Sequence, residues 1–174
     1  MVERAVDGHV WQRLADPGWD DPLDPSFAPT TGARWTPQGG PDTLHLNADV
    51  ATARDNLVRF LAGSQVAPED LADDSYCLVA ATLPTNQRVA DAHSGEGLIG
   101  LGLPVSYPLD ARGAVVSHAT CQPIGQRCFD RGLDGIHCRS AATADGSGRE
   151  LAWFSRGRRA VKGEERPFSA WYYG

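Results

Sequence analysis

The order of short strand-like segments along the chain is the feature that most constrains its fold. Alternating or mostly apolar runs predict strands at residues 9–13, 43–46, 76–83, 135–138 and 150–154. In the first two, Val10 and Leu44 are expected to face inward. The strands mostly follow one another and are interrupted by two or three helices, which is typical of a mixed α+β domain. Because no Gly-x-Gly-x-x-Gly follows a predicted strand and no Walker-type Gly-Lys-Ser/Thr occurs, a Rossmann or P-loop nucleotide site is not expected.

One helix is well defined by the sequence. Its apolar stripe consists of Val50, Ala53, Leu57, Phe60 and Leu61. Asp49 is a suitable N-cap and Gly63 a suitable stop, so the helix is predicted to extend to about residue 62. At about 100° per residue, Asn56 falls on the edge of the stripe and Asp55 points nearly opposite to it. An edge position presents a polar group to a cleft beside the core.

The remaining segments carry weaker patterns. They predict a second helix at residues 120–131, a short helix around Leu98, a strand at 114–116, a turn at 144–148 and an aromatic edge strand at 168–173. The segment 16–41 carries six of the twelve prolines and is predicted to be a surface loop, with a function or as a lid.

Length and charge restrict the classes of function. A chain of 174 residues is the size of one domain, here residues 1–174. The net charge of −6 argues against nucleic acid as the main partner, because phosphate binding needs a concentrated basic face. The basic cluster at 156–162 is interpreted as a solvated turn. No signal-peptide core or apolar run of about 18 residues occurs, so a soluble, cytoplasmic protein without membrane contact is expected.

The cysteines do not indicate a metal site. The four cysteines form no C-x-x-C pair, and buried free thiols are expected. His118 and Cys121 have the spacing of a helical ligand pair, but structural zinc usually takes four ligands, so no metal is expected. Cys121 and Cys128 more simply share the buried face of one helix.

Four segments in a fixed order carry a family resemblance. They are Arg13, then Gly32-Ala33-Arg34-Trp35, then Leu44-His45-Leu46 leading into the helix around Asn56, then Arg139-Ser140. In this order they resemble the RES domain, the NAD-cleaving toxin half of some bacterial toxin–antitoxin pairs. The resemblance extends over nearly the whole chain. Where the family carries its Glu, this chain has Asn56.

The resemblance implies an ADP-ribosyltransferase-like fold with a split β-sheet core, and NAD bound as the substrate in a cleft. It implies cleavage of the bond between nicotinamide and ribose in a bacterial cytoplasm, and a protein antitoxin as partner. By position, the NAD-binding residues would be Arg13, Arg34, Trp35 and Ser140, and the catalytic residues Arg34, His45, Asn56 and Ser140. His45 would replace a family Tyr. For Trp35 a packing role is the alternative.

Asn56 leaves three readings open. A Glu can stabilise a developing positive charge, whereas an Asn can only hydrogen-bond to ribose, and losing such a charge typically costs about 10²–10³ in rate. The chain is therefore a binding module, or uses another carboxylate, or runs altered chemistry on a related nucleotide or glycoside. Asp55 is rotated away, so Glu96 and Asp110 are the candidate replacements. Arg34→Ala is expected to abolish catalysis and Asp55→Ala to have little effect.

Overall fold

The computed structural model describes residues 1–143 and 145–174. The strands in these residues are β1 Glu3–Ala5, β2 Val10–Ala15, β3 Thr43–Asn47, β4 Cys77–Thr82, β5 Arg88–Ala92, β6 Gly135–Arg139, β7 Arg149–Phe154 and β8 Val161–Arg166. The helices are α1 Ala28–Thr31, α2 Val50–Leu61, α3 Gly95–Leu101, α4 His118–Asp130 and α5 Phe168–Tyr172, with short 3₁₀ turns at Pro25–Phe27 and Pro68–Asp70. The predicted α+β class is confirmed.

The strands form one mixed sheet in the order β1-β5-β6-β7-β3-β2-β4-β8. Strands β5 and β6 run parallel, and the other neighbours are antiparallel. Within the described residues, β2 and β3 pair only at Gln12 and Asn47, although β2 pairs with β4 along its whole length. The sheet therefore divides into two halves at this junction, as the predicted split core requires.

Helix α2 lies over the junction and is fixed by its cap and its apolar face. The Asp49 side chain accepts a hydrogen bond from the Thr52 backbone N–H at 2.7 Å, which satisfies an otherwise free donor of the first turn. Ala53 and Leu57 are fully buried and pack in a cluster with Trp171 of α5. This packing sets the rotation of α2, and with it the direction of Asn56.

The apolar core extends over both halves of the sheet. A large cluster packs α3 and α4 against one face of β5, β6 and β7, with Trp35, Tyr107 and Phe154 among its buried side chains. A second cluster includes Trp11 and Trp153. The four cysteines are buried free thiols, as expected. None of the helices in the described residues has the length and hydrophobicity needed to span a bilayer.

Several local predictions are wrong. Val10 is 51% exposed and Trp11 faces inward instead. The aromatic tail forms α5, because Phe168 and Trp171 pack on Leu78 of β4, and the neighbouring edge strand is β8. Residues 114–116 contribute an isolated bridge from Val115 to Leu109.

The sequence patterns missed strands β1, β5 and β8. The prediction at 144–148 lies partly outside the described residues, since Ala144 is not among them.

Candidate functional site

A polar cavity of about 300 Å³ lies where the sheet divides. Its lining residues come from both sides of the junction, from α2 and from β7; they are Arg13, Leu14, His45, Leu46, Asn47, Asn56, Phe60 and Glu150. Three of the predicted site residues, Arg13, His45 and Asn56, are thus brought together.

Arg13 projects from β2 across the junction. Its Nη1 donates a hydrogen bond to the backbone oxygen of His45 on β3 at 2.9 Å. Its Nε is buried and has no partner among the described residues. Burial lowers the pKa of Arg13 to about 10, so the guanidinium remains charged at neutral pH. The cavity therefore holds a fixed positive charge with an unused donor.

His45 is neutral in this site. Burial lowers the pKa of His45 to about 3, and the nearby charges of Arg13, His118 and Arg34 act in the same direction. Its Nε2 is buried without a partner among the described residues. The ring thus offers an uncharged face and one uncommitted nitrogen to the cavity that it lines.

Asn56 stands on the edge of α2, half-buried, whereas Asp55 is exposed, as the helical geometry predicted. The Asn56 Nδ2 donates to Asn47 Oδ1 and to Glu150 Oε1, both at 2.8 Å. The Asn47 Nδ2 in turn donates to the Gln12 backbone oxygen on β2 at 3.2 Å. Side-chain hydrogen bonds thus connect the two halves of the sheet where backbone pairing is sparse.

Glu150 is the site residue that the sequence did not reveal. It is the second residue of β7, pairs in register with Asn47 of β3 and Cys138 of β6, and lines the cavity as a half-buried side chain. The available signal was a charged residue at the start of the apolar run Leu151–Phe154. Its position beside Asn56 depends on strand pairing, which the sequence does not specify.

Ser140 lies behind the cavity lining, in contact with Glu150. It is fully buried, its Oγ donates to Glu150 Oε1 at 2.5 Å, and it accepts a hydrogen bond from the Ala142 N–H at 3.1 Å. Ser140 is not among the residues that line the cavity, whereas Glu150 is. In this structure Ser140 contacts the site through the carboxylate.

Neither Trp35 nor Arg34 lines the cavity. Trp35 is 1% exposed and its Nε1 donates to Cys138 Sγ at 3.3 Å, so it is a core residue and not an NAD-binding surface. Arg34 is half-buried and its Nη1 donates to the Val116 backbone oxygen at 2.7 Å. Its charge helps to lower the pKa of His45, which places it near the cavity but outside its lining.

The two carboxylates proposed from sequence are elsewhere. Glu96 lies exposed in the first turn of α3, and Asp110 Oδ1 accepts hydrogen bonds from the backbone N–H groups of Arg112 and Ala114 in a turn. Neither lines the cavity.

A second cavity of about 420 Å³ adjoins the first. It shares Arg13 and Phe60 with the polar cavity and adds Trp19 and Tyr76. The Arg13 guanidinium lies 5.7 Å from the centre of the Trp19 ring. The two cavities thus form one cleft with a polar end and an aromatic end.

Within residues 1–143 and 145–174, no group of three or more His, Cys, Asp and Glu side chains could hold a metal ion. His118 is exposed and Cys121 is buried, so the pair with metal-ligand spacing does not converge.

Comparisons with known proteins agree with the fold. The family model of the RES domain matches residues 2–172 of the chain. A chain in the crystal structure of the M. tuberculosis MbcT–MbcA toxin–antitoxin complex is similar with a TM-score of 0.72 and 17% identity, covering 95% of this chain and 90% of that chain. At this identity the similarity establishes the fold alone. A comparison with curated protein sequences finds no significant match.

Proposed function

The chain belongs to the RES domain family, and on that premise we propose that it cleaves the bond between nicotinamide and ribose in NAD. The observation that carries the proposal is the convergence of Arg13, His45, Asn56 and Glu150 on one cavity at the sheet junction. A guanidinium, a neutral ring, an amide and a carboxylate are the groups that such a reaction needs. Water, phosphate or an acceptor group on another molecule would complete hydrolysis, phosphorolysis or ADP-ribosyl transfer.

The transition state of this cleavage has oxocarbenium character at the ribose. Arg13 is suited to the pyrophosphate, because a guanidinium fork matches phosphate oxygens and its Nε has no partner in the described residues. The Asn56 Nδ2 hydrogens are used within the protein, which leaves Oδ1 to accept from a ribose hydroxyl. His45, being neutral, does not repel the cationic nicotinamide ring.

The adjoining cavity supports a dinucleotide rather than a single nucleoside. With about 300 Å³ at the polar end and about 420 Å³ at the aromatic end, the cleft has room for both halves. Trp19, Phe60 and Tyr76 supply rings on which a second base would stack.

We further propose a role as a toxin with a protein antitoxin, in a bacterial cytoplasm. The support is the family together with the fold shared with a chain of a toxin–antitoxin complex. Exposed Phe60 and Trp19 at the cleft suit an apolar segment of a partner that blocks it. Expression without the partner should deplete cellular NAD and arrest growth.

The direct test is incubation of the purified protein with NAD, with nicotinamide release followed by chromatography. Arg13→Ala and Arg34→Ala are expected to abolish release, because each removes a positive charge at or near the cavity. Asp55→Ala is the matched control on the exposed side of α2 and should retain release. Equal loss in all three would contradict the position of the cleft.

The alternatives give different results in the same experiment. NAD binding by calorimetry without release, at high protein concentration, would indicate a binding module. Neither binding nor release would indicate a different nucleotide or glycoside as the substrate.

A further inference from the structure

The Glu150 carboxylate lies beside Asn56, the position at which the family resemblance implies a Glu. The two side chains belong to different elements, β7 and α2, yet Asn56 Nδ2 and Glu150 Oε1 are 2.8 Å apart. Glu150 lines the polar cavity together with Asn56 and His45. A negative charge is therefore present in this cleft, although not on the helix.

The carboxylate is held by one of its two oxygens. Asn56 Nδ2 and Ser140 Oγ both donate to Oε1, at 2.8 and 2.5 Å. The hydrogen bonds that the described residues make to Glu150 do not involve the other oxygen, Oε2. Glu150 is thus oriented by neutral donors while one oxygen remains available to a ligand.

The same contact explains why residue 56 is an amide. A Glu at 56 would place two carboxylates at hydrogen-bond distance, and like charges at this separation cannot both stay ionised. Asn56 instead donates a hydrogen bond to the Glu150 carboxylate. The pair Asn56 and Glu150 is consistent with a carboxylate that has moved from the helix to the strand within one site.

We propose that Glu150 is the catalytic carboxylate of this cleft, and that Ser140 is a positioning residue that acts through it. The proposal rests on the NAD cleavage proposed above. As the bond between ribose C1′ and nicotinamide N1 breaks, its electron pair leaves with nicotinamide, and Glu150 stabilises the positive charge at C1′. An oxygen of water then bonds to C1′ and its proton passes to solvent.

The first test is Glu150→Gln, which keeps the acceptor for Asn56 and Ser140 and removes only the charge. We expect kcat for nicotinamide release to fall by about 10²–10³ while NAD binding persists. Glu96→Gln is the matched control, since it changes the same residue type on exposed α3 and should not alter release. Release by Glu150→Gln within threefold of the wild type would overturn the proposal.

The second test returns the charge to the helix. The double variant Asn56→Glu/Glu150→Gln has one carboxylate and one amide in contact, as in the wild type but exchanged. It is expected to release nicotinamide at least about tenfold faster than Glu150→Gln, because the charge again faces the ribose. A folded double variant with no gain over Glu150→Gln would count against the proposal.

The third test addresses Ser140. Ser140→Ala removes one of the two donors to Oε1 and should lower kcat by about tenfold with little change in KM. Ser140→Thr keeps the hydroxyl and should restore much of the loss. A change confined to KM, or no rescue by a folded Ser140→Thr, would contradict the positioning role.

A binding measurement separates this proposal from the cleavage on which it rests. The nicotinamide ring is cationic in NAD and neutral in NADH, so a carboxylate beside it should favour NAD by about fivefold, and Glu150→Gln should abolish the preference. If the wild type binds NAD with this preference but releases no nicotinamide, cleavage fails while the position of the charge stands. If the preference is absent in the wild type, or persists in Glu150→Gln, the assignment of Glu150 fails.

Discussion

The two junctions on either side of β3 are built in different ways. Toward β7, the strand is in register over five residue pairs, from Thr43 opposite Phe154 to Asn47 opposite Glu150. Toward β2, the described residues pair only at Gln12 and Asn47. On the first side backbone hydrogen bonds and buried apolar side chains hold the strands together. On the second, polar side-chain contacts supplement the sparse backbone pairing, while Trp11 of β2 still packs in one apolar cluster with Leu44 and Leu46 of β3.

This difference explains how the fold forms a cleft and still keeps a buried apolar core. Side-chain donors reinforce the junction between β2 and β3: Arg13 donates to the His45 backbone oxygen, and Asn47 Nδ2 donates to the oxygen of Gln12, the residue opposite it. Those donors are the groups that line the cavity. The side of β3 that is fully paired with β7 fixes the position of the Glu150 carboxylate, because β7 carries Glu150 and its partner Ser140 follows β6.

The largest expected effect on stability is at Trp153 of β7, on the side of β3 where the strands are fully paired. Trp153 is fully buried near the end of β7, and its Nε1 donates to the buried Gln87 Oε1 at 2.7 Å. Trp153→Ala should lower the free energy of unfolding by about 3–5 kcal/mol, through the lost apolar burial and the cavity left behind. Urea unfolding followed by circular dichroism measures it.

The control for that change is Val10→Ala on β2, a side chain that is 51% exposed. It should alter the free energy of unfolding by no more than about 0.5 kcal/mol. Comparable losses in both variants would mean that the two sides of the sheet do not differ in the way described.

On the open side, Arg13→Met should separate binding from stability. The change removes the guanidinium and keeps the length of the stem, so NAD affinity should fall by about tenfold or more through lost charge-assisted hydrogen bonds. The free energy of unfolding should change by less than about 1 kcal/mol, because losing the His45 contact is offset by relief of a buried charge with an unpaired Nε. Calorimetry and urea unfolding measure the two quantities.

Arg159→Met provides the comparison for Arg13. Arg159 is exposed and pairs with Asp21 at 2.7 Å, and such surface pairs contribute little. It should change neither affinity nor stability. A loss of stability in Arg13→Met as large as in Trp153→Ala would place Arg13 in the structural core instead of the cleft.

A pH titration compares one histidine from each side. Burial is the main cause that lowers the pKa of His45 at the open junction and of His137 on β6, each to about 3. In the unfolded chain each histidine has a pKa of about 6.5. Acid therefore protonates the unfolded state first, and the free energy of unfolding falls as the pH drops below that value. Each histidine should lower the free energy of unfolding by about 1–2 kcal/mol between pH 7 and pH 5.

The variants His45→Gln and His137→Gln should each flatten this dependence by its own share, in urea unfolding at fixed pH values. If only His137→Gln flattens it, the cavity is open enough to water to solvate the charged imidazole of His45. That result would mean that water reaches His45 at the junction between β2 and β3 but does not reach His137 on β6.

Sequence patterns predicted what is local and missed what depends on pairing. The cap at Asp49, the buried face at Ala53 and Leu57 and the edge position of Asn56 follow from residues within one helix, and the structure confirms them. Phe60 of the predicted stripe is 70% exposed instead. Glu150 enters the cleft because the register of β7 with β3 puts it opposite Asn47, which no local pattern encodes. The inward face of β2 and the helical tail likewise depend on tertiary packing, by Trp11 and by Phe168.

The smallest effect distinguishes two neighbours on one helix. Asn56→Ala removes the donor shared by Asn47 and Glu150, and should lower the free energy of unfolding by about 0.5–1.5 kcal/mol. Asp55→Ala, on the exposed face, should change it by less than about 0.5 kcal/mol. Because Asn and Asp have similar helix propensities, the gain from introducing Ala nearly cancels between the two variants, and their difference in urea unfolding reports the side-chain network. Equal values would mean that α2 spans the open junction by its apolar packing alone, and that the polar contacts serve only the ligand.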